Sequence, residues 1–340
     1  MNPDRAHRLL EVLRAASDCP DLTYAGLPQP LTGGFYAELF VFSLVHPPPE
    51  WPAELVARVM PDADLAKKET AVQRAVAVAG YPTPMVRASG GPEYGLGGAF
   101  LVMDLAHGSP LLSGINGLGA VVSALRTLRQ IPALLASSMA SLHALDPRIV
   151  RGHVGATHLP LTLDDFLAEL RKVACEYRRD DLEEAADWLI EHPVSPSPEV
   201  ICHGDLHPLN LLVDGDRAWV LDWSTSLLAP RTFDVGYTSL LLEEPPLVVP
   251  VLLRGAVQRI SVGLARRFVG EYEQRSGITI DPNALHWHQG VTCLRALVEV
   301  AGWAREEGVT ERRAGHPWLL SGSSFARRLS DLTGAQVRAL

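Results

Sequence analysis

Asp205, Asn210 and Asp222 fall within one stretch, Ile201 to Trp223, with His203 and His207 on either side of the first. Leu211 to Leu221 is strand-like and is broken by Asp214-Gly215, a hairpin signal. If Leu211 to Val213 pairs antiparallel with Trp219 to Leu221, then Asn210 and Asp222 are opposed at the open end. Residues so opposed lie about 4.5 to 5.5 Å apart and share a face. An amide oxygen beside a carboxylate, with no third protein ligand, makes an incomplete oxygen site that suits Mg²⁺ shared with substrate phosphates. Asp205, just upstream on a loop, can accept a proton from an attacking hydroxyl. Any one of these residues could merely cap a turn; only the spaced set points to chemistry.

Two further features suit a polyphosphate. Gly33 and Gly34 turn between strands, and glycines let the backbone approach a phosphate closely. Arg58 is a charge inside the apolar run Ala53 to Met60 and needs a partner, for which Glu69 in the following helix is the candidate. His203-x-Asp205, four residues and then Asn210 reproduce the spacing of the kinase catalytic loop, and Asp222 takes the place of the metal-binding Asp that follows it. A basic side chain fixed by a helical carboxylate is likewise the kinase arrangement, with Arg58 where protein kinases use Lys.

These residues need elements to hold them. Phe35 to Leu44, Ala53 to Met60 and Phe100 to Met103 read as strands, and Ala63 to Ala79 as a helix closed by Gly80 and Pro82. Strand signals stop near His107, where we place a boundary between segments 1–107 and 108–340. Beyond it Pro132 to Leu145, Leu161 to Arg178, Asp181 to His192, Arg254 to Arg275 and Ala284 to Glu306 carry apolar residues at helical spacing, and the hairpin is the one strand-like island. No internal repeat is visible.

Bulk properties narrow the function. At 340 residues, 47% hydrophobic and 20% charged, the chain can bury a large core and has room for two domains. A net charge of −9 argues against a nucleic-acid partner, which needs clustered Lys and Arg. The four cysteines are far apart and read as free, buried thiols. Met1 to Ser17 reads as an amphipathic helix and not a secretory segment, and no apolar run is long enough to span a bilayer. No membrane partner and a cytoplasmic location are therefore expected. His286 and His288 are two apart in a helical pattern and do not share a face, against a metal there. Gly114, Gly117 and Gly119 form no dinucleotide fingerprint, and no P-loop motif occurs. Glu243, Glu244, Asp164 and Asp165 could line an acceptor pocket or be solvated helix ends.

The chain resembles the aminoglycoside phosphotransferase-like kinases. The matching features run in family order: Gly33-Gly34, Leu55 to Met60, Glu69, Gly80 to Pro84, Phe100 to Leu105, Leu142 to Pro147, His203 to Pro208, Asn210, Leu221 to Trp223 and Asp234. The resemblance covers roughly Leu31 to Tyr237. It implies an α+β, two-lobed protein-kinase-like fold with a small β-rich N-lobe and a larger helical C-lobe. It also implies that Asp205 is the catalytic base, that Asn210 and Asp222 bind Mg²⁺, and that Met103, Asp104 and Ala106 belong to a hinge whose backbone contacts the adenine of ATP or GTP. Asp234 would brace the catalytic loop. The loop after Gly33 lacks the family's common Ser-Asn pair, and Leu209 stands where Gly is frequent. Only eleven residues, 223 to 233, separate Asp222 from Asp234. That is too few for the segment by which protein kinases bind peptides, so a small hydroxylated acceptor is expected. The alternatives are a nucleotide-binding pseudokinase acting as a scaffold, and a metal-dependent hydrolase built on His203, Asp205, His207 and Asp222. The acceptor and the oligomeric state are not encoded in any pattern we can read.

Overall fold

A computed structural model of the protein describes residues 1–31, 37–111, 120–154, 159–215, 217–245, 250–305 and 316–339. The fold is α+β, rich in strands toward the N-terminus and helical toward the C-terminus. It comprises two compact units. The first is Met1–Ser113 with Pro147–Leu159 and Leu209–Ser226; the second is Gly114–Asp146, Pro160–Pro208 and Leu227–Leu340.

The first unit is built on an antiparallel sheet of six strands: β1 (Thr23–Tyr24), β2 (Gln29–Leu31), β3 (Glu38–Val45), β4 (Glu54–Met60), β5 (Val86–Gly90) and β6 (Ala99–Asp104). Its order is β1-β3-β4-β6-β5, with β2 also on β3. Strand alternation sends Phe40, Phe42, Leu44, Leu55, Ala57 and Val59 to one face, where they bury Leu9, Leu10 and Leu13 of α1 (Pro3–Ser17). Each such side chain contributes about 1.5–3 kcal/mol when fully buried. The other face carries Met60 and Leu101 against Ala66 of α2 (Ala63–Val78). Arg58, two residues before Met60, belongs by the same alternation to the face that α2 covers. Asp62 caps α2, its carboxylate accepting from the Leu65 N–H at 3.0 Å.

Two later segments complete this unit. One contains α4 (Arg148–Val154), which packs on α2. The other is the expected hairpin, β9 (Leu211–Asp214) and β10 (Arg217–Val220), to which β7 (Ser109–Pro110) adds a third strand. The hairpin is fastened to residues 81–83. The Val220 N–H donates to the Pro82 carbonyl at 2.9 Å, and the Thr83 hydroxyl donates to the Val220 carbonyl at 2.8 Å. The buried Trp223 indole donates to that hydroxyl at 2.9 Å and meets the Tyr81 ring edge-on at 5.6 Å.

The second unit packs α3 (Ala120–His143), α5 (Leu163–Glu176), α6 (Asp180–Glu191), α7 (Thr232–Glu243), α8 (Val251–Ser276), α9 (Pro282–Trp303) and α10 (Pro317–Thr333). Helix α9 is apolar nearly all round and buried along most of its length, so it is the centre of the bundle. Helices α7 and α10 pack on it. Gly236 permits the close approach of α7, since a Cβ there would stand 3.1 Å from His288 Cβ and 3.2 Å from the Gln289 nitrogen.

The structure corrects several sequence expectations. The hairpin is not the one strand pair of the later chain: β8 (Glu199–Cys202) and β11 (Leu227–Pro230) pair antiparallel on either side of it. Both are short and fully apolar on their inner residues, so neither shows a period. Helix α3 does not begin at Pro132 but runs through it. The four cysteines are all free, but only Cys202 and Cys293 are buried; Cys19 is partly covered and Cys175 is exposed. Among the described residues no helix is long and apolar enough to cross a membrane.

Candidate active site

In the second unit the loop after β8 is held almost group by group from α7. Asp234, in the first turn of α7, accepts from the His203 N–H at 2.8 Å and the Gly204 N–H at 2.7 Å. Tyr237, three residues on and so on the same face, donates its hydroxyl to Asp205 Oδ1. Thr238, four residues after Asp234, donates to the Leu206 carbonyl at 2.7 Å. From α9, Arg295 Nη1 donates to the Gly204 carbonyl at 2.7 Å. Gly204 has φ 74°, a left-handed conformation that favours glycine, and this lets successive peptide groups face Asp234 and Arg295 in turn.

The charges on this loop are supported. Burial alone would raise the Asp205 carboxyl, but His207, Arg295 and the Tyr237 hydroxyl hold it below the usual carboxylate range. It is therefore anionic at neutral pH, with about one fifth of the side chain (22%) exposed. His207 Nε2 lies 3.6 Å from Asp205 Oδ2. Arg295 is buried, but Glu299 and Asp205 keep it charged; its Nε donates to Glu299 Oε1 at 2.8 Å. Beneath Asp234, His143 Nε2 lies 3.2 Å from Oδ2, and His143 Nδ1 meets the Tyr272 hydroxyl at 2.8 Å. His143, Cys202 and Asp234 cluster closely enough to suggest a metal. The donor chemistry argues against one: both Asp234 oxygens are taken by N–H groups, and burial pushes the Cys202 thiol well up, leaving it protonated.

In the first unit the structure brings Arg58, Glu69 and Asp222 together. Arg58 Nη1 is 3.5 Å from Glu69 Oε1, and Nη2 is 3.1 Å from Asp222 Oδ2. Glu69 is fully buried, and burial pushes its carboxyl up to about 7 against the pull of Arg58. Asp222 sits at φ 66°, and its Oδ1 accepts from the Ser224 hydroxyl at 2.7 Å.

The hairpin register differs from the expected one by a residue. Leu211 pairs with Val220 and Asp214 with Arg217, so Asn210 opposes Leu221, whose N–H donates to the Asn210 carbonyl at 2.9 Å. With Asp214 paired to Arg217, the hairpin is centred half a residue earlier than expected, which moves every partner by one. Asp222 thus lies beyond the ladder, and its left-handed backbone ends the strand alternation from which the opposed pair was inferred.

Met103 and Asp104 end β6; Asp104 is held by Arg87 through two bonds of 2.6 and 2.8 Å, and Gln73 donates to Met103 Sδ at 3.2 Å. The Asp104 N–H is taken by the Met85 carbonyl at 3.1 Å, whereas the Ala106 N–H has no partner among the described residues. Gly33 and Gly34 lie outside the described residues. Glu243 and Glu244 both bind Arg328 of α10, Glu243 at 2.8 Å, and are not simply solvated. Asp165 is tied to Thr162 at the start of α5.

Sequence reasoning missed Tyr237 and Arg295. A signal existed for each. Tyr237 shares a helical face with Asp234, and Arg295 is a charge within the mainly apolar run Val291 to Val298, the same anomaly that singled out Arg58.

The sequence model of the phosphotransferase enzyme family, APH, matches residues 5–267. No curated protein sequence matches the chain. Among solved structures, aminoglycoside phosphotransferase APH(4)-Ia is similar with a TM-score of 0.60 at 18% identity, over 98% of this chain and 100% of that one. Macrolide 2'-phosphotransferase from Brachybacterium faecium is similar with a TM-score of 0.53 at 18% identity, over 91% and 97%. A choline/ethanolamine kinase family protein from Mesorhizobium loti gives 0.53 at 17%, over 97% and 99%. At these identities the likeness establishes the kinase-like fold.

Proposed function

The chain belongs to the phosphotransferase enzyme family, and on that footing we propose that it transfers the γ-phosphoryl group of ATP or GTP to a hydroxyl of a small molecule, with Asp205 as the base. The observation that carries this reading is an anionic carboxylate on a loop whose neighbouring peptide groups are fixed by Asp234 and Arg295. The acceptor O–H bond breaks and its proton passes to Asp205. The acceptor oxygen bonds to the γ-phosphorus, and the bond to the bridging oxygen breaks, its electron pair leaving with the nucleoside diphosphate. A carboxylate held below its usual range is a weak base. Its work is to orient the hydroxyl early and take the proton late, as a loose transition state requires.

Asn210 and Asp222 supply an amide and a carboxylate oxygen and no sulfur or imidazole, a donor set that fits a hard divalent cation. Held there, Mg²⁺ would offset the charge of the nucleotide phosphates. Arg58, oriented by Glu69, offers a second positive charge to the phosphates, and Gly33 and Gly34 would offer them neutral backbone N–H donors. The Ala106 N–H, without a partner among the described residues and following Met103 and Asp104, is suited to an adenine nitrogen. Residues 1–107 would hold the nucleotide, and 108–340 would supply the base, the cation ligands and the acceptor site. Structures of APH(4)-Ia variants hold AMP-PNP with hygromycin B, and ADP with hygromycin B. They support a nucleotide donor and a small-molecule acceptor here.

The test is a nucleotide-consumption screen across antibiotic sugars, macrolides, amino alcohols and hydroxy acids, with Asp205→Ala as control. The variant is expected to bind nucleotide normally and to lose about two to four powers of ten in turnover. An unchanged turnover number sinks the assignment. Nucleotide binding with no diphosphate released for any acceptor would instead identify a scaffold.

A further inference from the structure

We infer that Tyr237 is the positioning residue of Asp205, setting through its bond to Oδ1 how the carboxylate is turned toward the acceptor. The inference rests on the assignment of Asp205 as base. Tyr237 is 2% exposed, and its hydroxyl donates to Oδ1. A phenol has one proton to give, and spending it on Oδ1 fixes the rotation of the carboxylate. Oδ2 is the oxygen on the side of His207 Nε2, 3.6 Å away.

The phenol ring itself is held from two sides. The Arg295 guanidinium lies over its ring at 5.7 Å, and Trp318 of α10 meets it edge-on at 6.1 Å. Arg295 and Trp318 are joined through Glu299, whose Oε1 takes Arg295 Nε at 2.8 Å and whose Oε2 takes the Trp318 indole at 3.1 Å. The same Arg295 holds the Gly204 carbonyl at 2.7 Å, one residue before Asp205. Ring, backbone and carboxylate are thus referred to one buried cation. Burial and the Asp205 charge both push the Tyr237 hydroxyl well up, so it keeps its proton and acts as donor throughout. A buried tyrosine needs some acceptor for its hydroxyl. The choice of the carboxylate assigned as base, by a ring clasped between a guanidinium and an indole, is what assigns it a role beyond packing.

The experiment is a titration of full-length protein carrying carboxyl-¹³C aspartate, with the Asp205 signal assigned through Asp205→Asn. In Tyr237→Phe the Asp205 midpoint is expected to rise by about one pH unit. With an acceptor from the screen, turnover is expected to fall about tenfold or more at unchanged KM for nucleotide. Adding Tyr237→Phe to Asp205→Asn should cost nothing further. An unmoved midpoint with full turnover, while Asp205→Asn abolishes it, overturns the inference and leaves the base assignment standing. If Asp205→Asn itself keeps full turnover, the base assignment fails and the inference falls with it. Should Tyr237→Phe not fold, 3,5-difluorotyrosine at 237 keeps the ring and strengthens the donor. It should lower the midpoint, and no movement there overturns the inference equally.

Discussion

Arg58 bridges two carboxylates, Glu69 at 3.5 Å and Asp222 at 3.1 Å, the first buried completely and the second partly open. Strand alternation and helix packing deliver Arg58 and Glu69 to the same layer, so the pair is a consequence of the sheet as well as a device for phosphates. Removing the cation leaves Glu69 in an apolar layer with no counter-charge. Arg58→Met is expected to cost about 3 kcal/mol of unfolding free energy at pH 8. The cost should shrink at pH 6, where Glu69, already pushed up to about 7, takes a proton instead. Urea unfolding at the two pH values reads this directly, and equal losses at both would contradict it.

Asp222→Asn and Asn210→Ala should weaken nucleotide binding only when Mg²⁺ is present. The expected loss is about tenfold or more in Mg²⁺ and little in EDTA. Calorimetric titration with a non-hydrolysable triphosphate under both conditions separates a metal ligand from a residue that merely supports the turn.

The Asp234 carboxylate serves two buried N–H groups at once, and an amide oxygen with its own NH₂ cannot do so on both sides. Asp234→Asn is expected to lose about 2 kcal/mol. Hydrogen exchange in the peptide covering 201–208 should accelerate while exchange in α9 stays slow.

His288 is fully buried in α9, and burial lowers it from 6.5 to about 4. Between those values the unfolded chain binds a proton that the folded chain refuses, so this residue's contribution is present above pH 6.5 and is lost as pH falls toward 4. The loss amounts to about 3 kcal/mol. Glu69 acts oppositely, since its raised carboxyl stabilises most below 4.5 and loses that contribution as pH rises through 7. The measurable quantity is therefore the stability of wild type minus that of His288→Gln, which should shrink steadily from pH 7 to pH 4.5.

Much of this was legible in the sequence because chemistry concentrates its signals. The stretch 201–223 announces a turn, a loop acid and a hairpin within a few residues, and Arg58 stands out as a charge in an apolar strand. The one-residue register difference was not legible, because the turn that sets it offers two adjacent placements with similar residues. Strands β8 and β11 were hidden because three of the four residues in each are buried, which removes the polar half of a strand's alternation. Tyr237 shares a face with Asp234, but nothing local names Asp205 as its partner, which lies 32 positions earlier and is joined to it only by the packing of α7 on the loop.

The fastening of the β9–β10 hairpin to residues 81–83 has a consequence for biosynthesis. The ribosome releases the whole six-stranded sheet and then all of 114–208 before Leu209–Ser226 emerges. Until then the Pro82 carbonyl, the Thr83 hydroxyl and the Tyr81 ring await partners that have not been translated. A nascent chain halted before Leu209 would lack Val220 and Trp223, the groups that residues 81–83 bind in the finished fold.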